Sequence, residues 1–129
     1  KGTILLGVTV LTSMNEEDLR ALGISGSVEE KVKEFALSAK RAGLNGVVAS
    51  AKEIKSIKDT CGKEFLVVTP GIRPDWADAN DQKRVMTPKE AVKSGADFIV
   101  VGRPIIEAKS PLEAAERIIQ EIKEAETTQ

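Results

Sequence analysis

The sequence predicts an α/β domain of four strands alternating with helices, the strands parallel and the helices covering the sheet. Three observations predict it. Short runs of branched apolar residues recur four times along 129 residues, about one per thirty. Each run is followed by a helical pattern with its own start or stop signal. The strands read as continuous apolar stretches, the pattern of strands buried on both faces.

The elements follow in order. Ile4 to Leu11 is the first strand, left by Thr12-Ser13-Met14-Asn15, and Glu16 to Leu22 forms a short helix ending at Gly23. Ser27, with Glu30 three residues on, is a capping box that opens a firmer helix. On that helix Val28, Val32, Phe35, Ala36 and Ala39 share a face, and Gly43 is its stop. Gly46 to Ser50 is the second strand, and Ala51 to Asp59 a helix with Ile54 and Ile57 inward and lysines outward. Phe65 to Thr69 is the third strand, followed by a long polar loop from Pro70 to Met86. Thr87 and Glu90 form another capping box, with Pro88 at the first helical position and Gly95 as the stop. Phe98 to Val101 is the fourth strand and runs straight into Gly102-Arg103-Pro104. Ser110 caps the last helix, with Leu112, Ala115, Ile118, Ile119 and Ile122 as its apolar residues, and Glu124 to Gln129 is a polar, frayed tail.

Two architectures fit one such domain over residues 1–129. One is an open doubly wound sheet; the other is half of a (β/α)8 barrel, whose full form needs about 250 residues. In both, ligand chemistry falls at the carboxyl ends of the strands.

Composition bounds the function. Hydrophobic residues make up 41% and charged residues 30%, as in an ordinary water-exposed domain. A net charge of −1 gives no bulk support to nucleic-acid or membrane binding, and 3% aromatics leave little to stack on bases. The longest apolar run, Ile4 to Val10, is too short to span a bilayer, and Lys1-Gly2 leads directly into a strand with no signal pattern. Cys61 is the only cysteine, which favours a reducing, cytoplasmic setting. Histidine is absent, which removes the usual general base and the commonest metal ligand. No metal cluster, P-loop or dinucleotide fingerprint is present, so no cofactor is expected.

The strand ends offer Thr12, Ser13, Ser50, Arg73 and Gly102-Arg103 on one face of a parallel sheet. An arginine presents a planar fork of donors to an oxyanion, and Gly102 lets backbone amides approach closely, with a following helix start as reinforcement. Either arginine alone reads as readily as a solvated loop cation; together at adjacent strand ends they make an anion clamp. Gln82 can donate its amide if the loop folds over the ligand, or simply be solvated. Trp76 is either an apolar contact of the loop or an exposed ring at an assembly surface. Thr12 and Ser13 have hydroxyls for a sugar or base edge, or for turn bonding. Asp81-Gln82-Lys83 lies within the loop and reads as solvated charge, and Cys61 has no histidine to make it a nucleophile.

The segments Val8 to Met14, Asn45 to Ser50, Val68 to Pro74, Asp81 to Arg84 and Val101 to Ile105 together resemble orotidine 5'-monophosphate decarboxylase. The resemblance covers essentially the whole chain and corresponds to the second half of that enzyme. It implies a β/α barrel that dimerises with active sites near the subunit interface. It also implies that Arg73, Gln82 and Arg103 grip the 5'-phosphate of the nucleotide with the amide of Gly102, while Thr12 and Ser13 touch the pyrimidine and Ser50 ends the sixth strand. The family's chemistry uses an Asp-x-Lys-x-x-Asp motif and an upstream lysine on earlier strands. Here the only Asp-x-Lys is Asp81-Gln82-Lys83, and the third member falls on Met86. The lysine that protonates the developing C6 carbanion has no counterpart, so no catalytic residue is assigned and the chain alone is expected to bind rather than decarboxylate. Its expected partners are a nucleotide monophosphate or phosphate anion and either a second copy of itself or a complementary N-terminal half. The alternative is a purely structural half-barrel that self-assembles without binding a ligand.

Overall fold

The computed structural model describes residues 2–77 and 85–128. Four strands, β1 (Leu6–Val8), β2 (Gly46–Val48), β3 (Leu66–Thr69) and β4 (Phe98–Ile99), form one parallel sheet in the order β1-β2-β3-β4. Sequential neighbours with no reversal are the order of a barrel segment; a doubly wound sheet reverses direction at a switch point. The register is continuous: Val8, Val48, Val68 and Phe98 stand in one row across all four strands. Gly46 makes the β2–β3 pairing possible, because a Cβ there would sit 2.2 Å from the Leu66 carbonyl oxygen.

The helices are α1 (Glu16–Ala21), α2 (Val28–Arg41), α3 (Ile54–Cys61), α4 (Pro88–Lys93), α5 (Arg103–Ile106) and α6 (Pro111–Thr127), with a 3-10 turn at Ala51–Glu53. Local chemistry sets their starts. Capping boxes open α1 (Asn15 with Asp18), α2 (Ser27 with Glu30) and α4 (Thr87 with Glu90), each cap being worth about 1 kcal/mol. Val47 and Val67 on the sheet, Val32 and Ala36 on α2, and Ile54 and Ile57 on α3 are fully buried together. Burying an isoleucine of this kind contributes about 1.5–3 kcal/mol.

The other face of the sheet is open, which corrects the expectation of strands buried on both sides. Val8 is 61% exposed and Phe98 54%, and Val48 and Val68 between them are only half-buried. Continuous apolar runs indicate two covered faces in a completed barrel, and these four units supply the cover for one. The strands are also shorter than their apolar runs: Ile4, Leu5 and Leu11 lie outside β1 and are exposed.

Four further differences concern helices. Phe35 on α2 is 37% exposed, outside the narrower buried stripe of Val28, Val32 and Ala36. On α6 the buried residues are Ala114, Ile118 and Ala125, whereas Leu112 and Ile119 face outward, because small side chains let α6 pack closely on α4. Helix α6 therefore continues to Thr127 through the stretch read as a frayed tail. Helix α5, which begins directly after Gly102 where a helix start was expected, is only a single turn.

At the amino ends of the strands, Lys58 Nζ donates to Asp97 Oδ2 (2.7 Å) and to the carbonyls of Phe65 and Lys63, while the Val67 N–H donates to the same carboxylate oxygen. This network ties α3 to the starts of β3 and β4. The carboxyl ends are left to the site.

Candidate anion site

The chain leaves β3 at Thr69 and turns through Gly71, whose φ of 71° is the left-handed conformation that glycine adopts without a Cβ penalty. It then buries Ile72, Arg73 and Pro74. Ile72 pairs with Met86 in an isolated parallel bridge, and the Arg73 N–H donates to the Met86 carbonyl at 2.9 Å. The long loop is thus pinned at its root. Sequence reading missed this pin, although an apolar residue at each end of the polar stretch, Ile72 and Met86, was its signal.

From β4 the Val100 N–H donates to the Thr69 carbonyl, which carries the sheet pairing on towards Gly102. Gly102 stands at the start of α5, where its carbonyl accepts from the Ile105 and Ile106 N–H groups, and the position of its missing Cβ is open space. Arg103 is the first residue of α5. With only four residues, α5 adds little of the dipole expected from a helix start, since that effect sums over aligned peptides.

The structure brings the two arginines together. Arg73 and Arg103 line one cavity of about 410 Å³ between the loop root and α6. Lys109 and Arg117 line it too, and its acidic members are Glu107 and Glu113. Among the described residues, four cationic side chains against two carboxylates leave the cavity net positive, which suits a doubly charged oxyanion. Arg73 is only 8% exposed, so its charge acts where water screens it less. Neither Lys109, in the turn between α5 and α6, nor Arg117, on α6, was singled out by the sequence, because turn and helix cations usually mark a solvated face.

The remaining expected residues are placed elsewhere. Thr12 is buried and Ser13 half-buried beyond β1, and neither lines this cavity. Ser50 is 1% exposed and its hydroxyl accepts from the Lys52 N–H as the cap of the 3-10 turn. Gln82, with Asp81 and Lys83, lies outside the described residues. Trp76 is half-buried at the cavity wall, with the Arg117 guanidinium over its ring. Cys61 is buried on the helix side, and that burial pushes its thiol up, partly offset by the Lys40 charge. A buried thiol of raised pKa is a poor nucleophile. Among the described residues no group of three His, Cys, Asp or Glu side chains could hold a metal ion, and no helix is long and apolar enough to cross a membrane.

The family model for orotidine 5'-phosphate decarboxylase and the HUMPS family matches residues 1–118. The chain belongs to the orotidine 5'-phosphate decarboxylase family. It is 59% identical over 118 residues to the orotidine 5'-phosphate decarboxylase of Geobacter sp. (strain M21), covering 92% of this chain and 49% of that protein. The enzyme of the same name from Geobacter sulfurreducens is 56% identical over 118 residues, with the same coverage. Among solved structures, orotidine 5'-phosphate decarboxylase from Lactobacillus acidophilus superposes with a TM-score of 0.75 at 40% identity, over 92% of this chain and 49% of the other. An uncharacterized conserved protein from Geobacillus kaustophilus does so with a TM-score of 0.71 at 38% identity, over 91% and 47%. The chain spans about half the length of the curated relatives it matches. Four parallel β/α units matching half of such a protein make the fold half of a (β/α)8 barrel, as the sequential strand order indicates.

Proposed function

We propose that this chain is the phosphate-gripping half of an orotidine 5'-monophosphate decarboxylase, whose reaction converts orotidine monophosphate to uridine monophosphate and CO2. The observation that carries the reading is the convergence of Arg73 and Arg103, from the ends of β3 and β4, on one net-positive cavity. In this reading the two guanidiniums hold the 5'-phosphate, joined by the Gly102 amide and by Gln82 from the loop, while Thr12 and Ser13 reach the pyrimidine from the end of β1. Ser50, at the end of β2, is a further contact in the same reading, since its hydroxyl accepts from the Lys52 N–H and its own O–H can still donate. Binding energy taken from a phosphate remote from the reacting carbon raises the rate only where it is realised in the transition state.

Protonation at C6 needs an acid, and this chain has no Asp-x-Lys-x-x-Asp motif to supply it. The chain alone therefore binds and does not turn over. Its open sheet face and its β1 and β4 edges seat four further β/α units, which a complementary N-terminal half supplies, or a second copy when the chain is alone. The test is a decarboxylase assay on this chain, on the N-terminal half of a family member, and on their mixture. Loss of orotidine monophosphate only in the mixture is expected. Turnover by this chain alone would overturn the reading.

A further inference from the structure

We infer that Arg117 is a positioning residue for the anion site, acting through Trp76 on the segment that carries Arg73; the inference deepens the phosphate reading and rests on it. The Arg117 Cζ stands 4.5 Å from the centre of the Trp76 ring, within the range of a cation–π contact. Among the described residues Arg117 has no carboxylate within ion-pair distance, so the ring is its partner. The indole Nε1 is buried and without a hydrogen-bond partner among the described residues, so no hydrogen bond orients the ring. The stacked guanidinium is its directional contact.

The stack joins a rigid element to the site. Arg117 lies on α6, one residue before the buried Ile118 and three after the buried Ala114, where α6 packs on α4. Trp76 follows Arg73 by three residues through the buried Pro74, whose ring fixes one backbone angle, and the Ala77 N–H donates to the Pro74 carbonyl at 2.9 Å. Little slack remains between ring and arginine. With the Met86 pin on one side and the stack on the other, Arg73 is held from both directions before any ligand arrives, and preorganisation of this kind raises affinity by lowering the ordering cost of binding.

Trp76 is the only tryptophan, so its emission reports the stack directly. Uridine 5'-monophosphate is titrated calorimetrically into the 129-residue chain and its variants, and emission is recorded on the free proteins. Arg117→Ala is expected to change Trp76 emission and weaken binding about 2- to 5-fold, with Arg117→Lys recovering part of both. Trp76→Leu is expected to weaken binding by a similar factor, Trp76→Phe by less, and the Arg117→Ala/Trp76→Leu double variant no more than either single one. Unchanged affinity in Arg117→Ala would overturn the inference. Losses that multiply in the double variant would also overturn it, because Arg117 would then touch the anion itself. A wild-type chain that binds no uridine monophosphate would remove the anion site, and this role with it, even where the emission change shows that the stack exists.

Discussion

The Arg73 N–H donates to the Met86 carbonyl at 2.9 Å, so the residue that offers its guanidinium to the cavity has its backbone fixed to the far end of its own loop. Beside it Ile72, 2% exposed, anchors the same junction in the core. Ile72→Ala is expected to cost about 2–4 kcal/mol in urea unfolding, as large-to-small core changes do. It should also weaken phosphate binding although no charge has been removed. Unfolding and phosphate titration of this one variant check both halves of the expectation.

Gly46 carries a different constraint. A methyl group on its Cα would meet the Leu66 carbonyl oxygen at 2.2 Å, which neither strand can relieve without breaking the β2–β3 ladder. Gly46→Ala is expected to destabilise the chain by about 3 kcal/mol, the upper end of ordinary overpacking. A melting temperature within 2 °C of wild type, about a fifth of the roughly 11 °C shift that such a loss brings to 129 residues, would show that the strands separate more easily than their register indicates.

The Glu90 carboxylate is held below the usual carboxylate range by the Thr87 N–H and hydroxyl that donate to it. A carboxyl whose folded pKa is depressed contributes stability that is present above its unfolded pKa, near 4.3, and lost as pH falls through the folded value. Melting curves from pH 6 down to pH 3 should therefore show a loss of stability that Glu90→Ala reduces, with the difference between the two proteins largest at pH 6.

These expectations separate what was legible in the sequence from what was not. Caps were legible because Ser27 with Glu30 and Thr87 with Glu90 are chemistry within one turn, readable without knowing the fold. The parallel β/α alternation and the two arginines at strand ends were legible from the apolar runs and their flanking caps, whereas alternation alone left the strand order open between a barrel segment and a doubly wound sheet. Burial on α6 was not, since Ala114 and Ala125 are buried for being small and Leu112 is exposed despite being large. The contact of Trp76 with Arg117 joins residues 41 apart in sequence, and no local pattern encodes it. The open face could not be read either, because an apolar strand looks the same whether its second cover is present or missing.

That face leads to an expectation about association. A row of Val8, Val48, Val68 and Phe98, flanked by β1 and β4 edges that pair with no further strand among the described residues, is a surface that excludes water poorly and templates pairing. Light scattering at micromolar protein should give at least twice the monomer mass, and the double change Val48→Lys and Phe98→Lys should shift the mass towards the monomer. A clean monomer for the unaltered chain would contradict it.

The central claim is that Arg73 and Arg103 together hold a nucleotide phosphate. Titration of uridine 5'-monophosphate into the chain and its Arg103→Ala variant, with inorganic phosphate as competitor, tests it most directly. A charge-assisted contact is worth about 1.5–3 kcal/mol, so the variant should bind at least about tenfold more weakly, and phosphate should displace the nucleotide from the unaltered chain. Equal affinity in the two proteins would contradict the account.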